Sequence, residues 1–395
     1  MTTGLIVIAA VILLAVILQD AFEVMLLPRR IFRRFRLTRL YFVAAWAIWS
    51  AGARQLPPGP RREGVLSVFG ALAMIVLFAI WAAALITGFG ALEWAFQPQP
   101  PASSLLEQIY MSGVTFFTVG YGDVVPHSGV SRVIAVVEGG TGIGFIAVVI
   151  GYLPVLYQLF SRREAHVILL DARAGSPPTA AAMLIRHAEA GALPKLDELL
   201  RAWEIWGADL LESHLSYPML IYYRSQHDNQ SWLAAIAAIM DTCALILVGV
   251  EEMNPLQARM TFAMARQVIV EMARSSGIRA AGHQAGARLS AAQFTELSAA
   301  LRTAGLDWDT GRSDTLAALR ATYEPMLEAL SVALLMQLPG WLPADGAIDH
   351  WQRGHRGQIA SRLIQQLTER SPSAETRPAR PPRKSLRMRW RRSKP

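Results

Sequence analysis

The sequence predicts an all-α membrane protein, and three observations carry that expectation. Apolar stretches at residues 3–27, 65–89 and 130–160 each reach the roughly 20 residues that a helix needs to cross a bilayer. Beyond residue 165 the apolar positions recur with the 3.6-residue period of amphipathic helices. The two-residue alternation of half-buried strands is scarce. Composition agrees: 53% of the 395 residues are hydrophobic and the mean hydropathy is +0.30, too apolar for an ordinary soluble chain. The excess lies mainly in the first 160 residues, so a membrane region followed by a helical soluble one is expected.

The first stretch is read as a spanning helix and not as a signal peptide. Met1-Thr2-Thr3 has no basic residue, the apolar run reaches Leu27, and no small-residue cleavage site follows. Asp20 and Glu23, three apart, share one helix face. They form either an interfacial pair near the arginines that follow or a buried ion pair coupling this helix to the rest of the membrane region. Six arginines fall between residues 29 and 39, which marks the cytoplasmic side and puts the N-terminus outside. Arg30, Arg33, Arg36 and Arg39 have the every-third spacing of a voltage sensor. Arg29 and Arg34 interrupt that stripe, however, and one spanning segment is too few partners for a sensor. The block reads instead as an interfacial helix on anionic headgroups. Residues 40–53, too short to cross, continue it. Pro57-Pro58-Gly59-Pro60 then breaks the chain, and Arg61 and Arg62 again mark the inside.

Residues 65–89 carry no charge and run outward, with Trp94 and Phe96 at an outer aromatic belt. Residues 97–101 form a turn-rich outer loop. Ser103 and Ser104 cap a short helix, 105–117, whose length suits a re-entrant segment. Residues 130–160 return to the inside, where Ser161-Arg162-Arg163-Glu164 ends the helix. The expected topology is three crossings and one re-entrant loop in the plasma (inner) membrane, with the C-terminus cytoplasmic.

Residues 171–179 form a linker closing on a helix start, with Ser176 as its cap. Leu196, Leu199, Leu200, Trp203, Trp206, Leu210 and Leu211 make one apolar stripe, and Ser290-Ala291-Ala292-Gln293 is a capping box. Residues 231–250 are apolar enough to cross, but Asp241 sits mid-segment and a crossing would export the basic tail. A buried bundle helix is expected. The polar run 224–232, with His227 and Asp228, is read as a turn capped by Asn229; a ligand, metal or subunit contact is the sharper alternative. Residues 371–395 form a disordered tail, with nine basic residues and no acid between 377 and 394, suited to the anionic inner leaflet and not to nucleic acid. The single Cys243 excludes a disulfide framework and a cysteine-rich metal site. No catalytic, nucleotide-binding or phosphate-loop motif is present, so no enzyme, cofactor or resident metal is expected.

Thr115-Phe116-Phe117-Thr118-Val119-Gly120-Tyr121-Gly122-Asp123 lies between the second and third stretches. It resembles the potassium channel signature Thr-x-x-Thr-Val-Gly-Tyr-Gly-Asp at every defined position, and the likeness covers roughly residues 65–160. A potassium ion leaving water needs its hydration shell replaced by oxygens, and rows of backbone carbonyls supply them. Carbonyls pointing the same way need backbone angles that alternate in hand, which Gly120 and Gly122 tolerate. The resemblance implies a homotetramer whose selectivity filter is Thr118, Val119, Gly120, Tyr121 and Gly122. It makes the carbonyls of 118–121 and the Thr118 hydroxyl the ion ligands, with Thr115 and Asp123 as filter support and outer mouth. The partial negative carboxyl end of the re-entrant helix also favours a cation.

Glycines at 139, 140, 142 and 144 weaken the helix that follows. They serve as a gating hinge at Gly142 and Gly140, or as close-packing positions; Pro154 adds a kink. Glu138, an acid inside a spanning helix, either hydrogen-bonds behind the filter or adds negative potential near the cavity. The expected domains are 1–64 (N-terminal helix and arginine-rich segment), 65–164 (pore), 165–370 (helical, cytoplasmic, regulatory) and 371–395 (basic tail). The expected function is passive potassium conduction gated through the cytoplasmic domain. A pore-loop transporter subunit, or a membrane sensor or scaffold with a silent pore, is the alternative.

Overall fold

The computed structural model describes residues 2–26, 37–97, 103–226, 230–250, 253–280, 288–308, 310–344 and 346–370. Arginines 29–36, loop residues 98–101, the His227-Asp228-Asn229 turn and the basic tail 371–395 lie outside them. The fold is all-α, and no strand occurs among the described residues. The described residues up to 347 form one compact unit and those from 348 to 370 belong to another.

In the first unit, α1 (Thr2–Met25), α3 (Pro60–Ala95) and α5 (Gly129–Ala174) are long and apolar enough to cross a membrane, as expected. Pro60 sits in the first turn of α3, where its missing N–H costs nothing. Between α1 and α3, α2 (Leu37–Arg54) buries Thr38, Phe42, Trp46, Ser50 and Ala53 as one stripe. It is a packed helix and not only an interfacial one. Trp46 lies 4.9 Å from the Phe69 ring, and the Tyr41 hydroxyl donates to the Ala73 carbonyl at 2.8 Å. Among the described residues Asp20 is in no ion pair. It accepts from the Thr38 hydroxyl at 2.6 Å and from the Trp81 indole at 3.2 Å, tying α1 to α2 and α3 at once.

The third apolar helix does not stop at Ser161-Arg162-Arg163-Glu164. α5 runs unbroken for 46 residues, about 69 Å at 1.5 Å per residue. No glycine or proline interrupts 155–174, and Arg163 and Glu164 are buried with partners, so the charges there are not a stop signal. The helix ends at Gly175, with φ 91°, ahead of Pro177 and Pro178. The next cap is Thr179, whose hydroxyl accepts from the Ala182 amide, and not Ser176 as expected.

The C-terminal helices of this unit are α6 (Ala180–Glu189), α7 (Pro194–Ser216), α8 (Trp232–Gly249), α9 (Pro255–Ser276), α10 (Ala291–Thr303), α11 (Ser313–Arg320) and α12 (Glu324–Leu334). They share one apolar core, into which α7 points Leu196, Leu200, Trp203, Trp206, Leu210 and Leu211. Ser290 and Gln293 form the expected capping box on α10, and Ser231 caps α8. α8 is the buried helix anticipated for 231–250. Its Asp241 meets Arg288 at 2.5 Å and accepts from the Tyr323 hydroxyl at 2.8 Å, while Glu324 takes Arg320 at 3.0 Å. Burial pushes the Tyr323 hydroxyl well above its ordinary value, which keeps it a donor.

The second unit contains a 3₁₀ turn, His350–Gln352, and α13 (Gly354–Arg370).

Candidate ion pathway

Between the tops of α3 and α5 lies a short helix, α4 (Leu105–Phe116). Ser104 accepts from the Glu107 amide while the Glu107 carboxylate accepts from the Ser104 amide, which fixes the start of α4. Twelve residues rise about 18 Å, too little to span. Close backbone approach holds α4 in place. A Cβ added at Gly90 would lie 2.7 Å from the Ile109 Cα, and one at Gly142 would lie 2.1 Å from the Phe116 carbonyl oxygen. Gly142 therefore lets α5 touch the end of α4. Gly140 and Gly144 face open space, and α5 is helical throughout this stretch.

The chain leaves α4 by folding back on it. The Thr118 amide donates to Thr115 O at 3.0 Å, the Val119 amide to Val114 O at 2.8 Å, and the Gly120 amide to the same Val114 O at 3.4 Å. The backbone then alternates. Thr118, Gly120 and Gly122 have φ of 58°, 65° and 77°, while Val119 and Tyr121 do not enter the positive range. Alternating signs allow successive carbonyls to share one direction. Positive φ is free for glycine but rare for a β-branched residue. Thr118 holds it beside the doubly used Val114 carbonyl, a feature the sequence did not disclose. Val119 and Tyr121 are 50% and 72% exposed on the single chain.

Thr115 lies in the last turn of α4, and its carbonyl holds the Thr118 amide. Asp123 accepts from the Tyr110 hydroxyl of α4 at 3.1 Å. Glu138 is fully buried, and one of its carboxyl oxygens meets the Ser112 hydroxyl of α4. That joins the acid to the helix supporting the 118–122 segment.

Other buried polar side chains lie on α3, at its end and on α4, and the sequence did not announce them. Glu93 of α3 is fully buried, among the described residues neither of its carboxyl oxygens has a hydrogen-bond partner, and it interacts electrostatically with Glu138. Gln97 is also buried with no hydrogen-bond partner among the described residues, and Gln108 of α4 uses its amide nitrogen on Ser103 at 2.5 Å. Glu93 escaped notice because the apolar run ends at Phe89, whereas α3 continues to Ala95. Its i, i+4 spacing to Gln97 was the available signal. Among the described residues no three His, Cys, Asp or Glu side chains gather as metal ligands.

At the far end of α5, Arg163 joins two cores. It donates to Leu220 O at 3.0 Å and Tyr223 O at 2.8 Å, and pairs with Glu164 at 2.9 Å. The 3₁₀ turn Pro218–Tyr222 thus reaches the membrane helices, where Tyr222 stacks on Phe42 with ring centres 5.9 Å apart. Arg224 extends the junction, donating to Leu335 O at 3.1 Å and pairing with Glu63 at 3.5 Å. His214 Nδ1 donates to Leu210 O at 2.9 Å, so Nε2 is the acceptor facing Arg163 Nη1 at 3.4 Å. Burial, and then the Arg163 charge, hold His214 well below the ordinary histidine value and keep it neutral.

Comparison with known proteins bears on the same region. Residues 65–158 match the family described as ion channel. The chain is also 26% identical over 221 residues to an uncharacterized membrane protein, YdjJ, of Bacillus subtilis (strain 168). That similarity takes in 53% of this chain and 61% of YdjJ, so the chain spans about three fifths of its relative's length. No solved structure matches. Helices of membrane-crossing length, the short α4 between two of them and the similarity to a membrane protein make this a membrane protein, and its residues 65–158 match the ion channel family.

Proposed function

We propose that the chain is one subunit of a homotetrameric potassium channel, with Thr118, Val119, Gly120, Tyr121 and Gly122 as its selectivity filter. The observation that carries the reading is the alternating hand of the backbone at Thr118, Gly120 and Gly122. One chain offers one row of carbonyls, and caging a dehydrated ion takes four around an axis. The exposure of Val119 and Tyr121 fits flanking by neighbouring copies. Asp123, held by Tyr110, stands at the outer mouth, and the Thr115 carbonyl accepts from the amide of the first filter residue. Gating runs through α5. The C-terminal helices grip it at Arg163, and motion at Gly142 and Gly140 reaches the end of α4 through the Gly142–Phe116 contact. The chain sits in the plasma (inner) membrane with its N-terminus outside and C-terminus cytoplasmic. The arginines of 29–39 and the basic tail rest on anionic headgroups.

Liposomes holding the full-length protein should pass potassium and exclude sodium. Gly120→Ala, which forces a Cβ onto a left-handed residue, should abolish discrimination between the two ions. Selective flux that survives this substitution would overturn the filter assignment.

A further inference from the structure

Ser112 has one hydroxyl hydrogen and two oxygen neighbours. The Ile86 carbonyl of α3 lies 2.7 Å from its Oγ, and a carboxyl oxygen of Glu138 is also within hydrogen-bond reach. A carbonyl can only accept. If the serine hydrogen went to Glu138, two oxygens without a hydrogen between them would face each other across 2.7 Å. The hydroxyl therefore serves Ile86, and the contact with Glu138 needs a hydrogen from the carboxyl group. We infer that Glu138 is a proton-binding site: it carries its proton at rest and donates it to Ser112, which donates to Ile86. This chain of two hydrogen bonds ties α5, α4 and α3 together behind the filter.

The surroundings agree. Glu138 is fully buried, and its second oxygen has no hydrogen-bond partner among the described residues. Glu93 acts on it electrostatically, and it is an acid. Three other titratable groups on the packed elements have partners of their own. On α4, Glu107 bonds the Ser104 amide and Tyr110 bonds Asp123. On α5, Arg132 donates to Pro126 O. A bare carboxylate here would stand unneutralised beside a second acid in a medium that disfavours charge. Glu138 thus acts as a positioning residue for the filter, and its ligand is a proton.

The experiment uses the full-length protein in liposomes. The spectroscopic arm stands alone, while the flux arm rests on the potassium channel reading above. At neutral pH the infrared spectrum should hold a protonated-carboxyl band that Glu138→Gln removes; identical bands in the two proteins overturn the assignment. In the flux arm, Glu138→Gln keeps a neutral donor toward Ser112 and should retain potassium flux, whereas Glu138→Ala should lower it about tenfold, the worth of one hydrogen bond of ordinary strength. Raising the pH should reduce flux in the wild type and spare Glu138→Gln. Equal losses in the Gln and Ala variants, or the same alkaline decline in wild type and Glu138→Gln, would sink the proposal. A band without any wild-type potassium flux would sink the channel reading and leave the proton assignment standing.

Discussion

α5 and α8 each hold an almost equally apolar stretch, yet 11% of that stretch is buried in α5 and 94% in α8. Hydropathy says that a helix must leave water; it does not say what receives it. α8 is apolar on every side, and protein covers all of it, as expected of a central helix. Its one charge, Asp241, is answered by Arg288 from another segment. α5 turns Gly142 and Glu138 toward α4 and leaves Val133, Val136, Val137 and Ile143 uncovered. That outer surface suits lipid or further copies of the chain.

The largest expected effect breaks the α8 side. Arg288→Ala removes the cation that neutralises the fully buried Asp241 and should cost about 3–5 kcal/mol. In detergent-solubilised full-length protein, the melting temperature of the helices followed by circular dichroism should fall by roughly 10 °C. The α5 side breaks differently. Val136→Arg removes no packing within the chain, because Val136 is 77% exposed. It should instead weaken membrane insertion by about 2.5–3.5 kcal/mol, read as the inserted fraction in a glycosylation-mapping assay. Normal insertion of that variant would end the assignment of this face to the bilayer. The smallest effect separates glycines two residues apart. Gly142→Ala drives a methyl into the Phe116 carbonyl and should destabilise by about 1–3 kcal/mol. Gly144→Ala meets open space and should be neutral or stabilise by up to about 1 kcal/mol. Thermal denaturation of the two variants side by side checks the difference.

Much of this was legible because local chemistry decides it. Ser104 and Glu107 announce the start of α4, Ser290 and Gln293 that of α10, and the lone Asp241 marks α8 as interior. The five residues 118–122 announce their own backbone, except at Thr118, whose left-handed φ accompanies the hydrogen bonds that fold the chain back on the end of α4. What could not be read depends on distant partners. Arg163 and Glu164 look like a membrane boundary until the carbonyls of Leu220 and Tyr223 are seen to receive the guanidinium. Asp20 looks like half of an ion pair until Thr38 and Trp81 satisfy it. Glu93 looks like a surface acid until α3 proves longer than its apolar run.

The unbroken α5 has a geometric consequence. A flexible joint lets two bodies keep independent orientations, whereas a continuous helix makes them share one angular coordinate. Each residue added or lost between Gly142 and Arg163 would turn everything beyond by about 100° and shift it by about 1.5 Å along the axis. A seven-residue step would restore the bearing to within about 20°. Length and heading in this rod are therefore locked together, and the segment tolerates change only in near-whole turns.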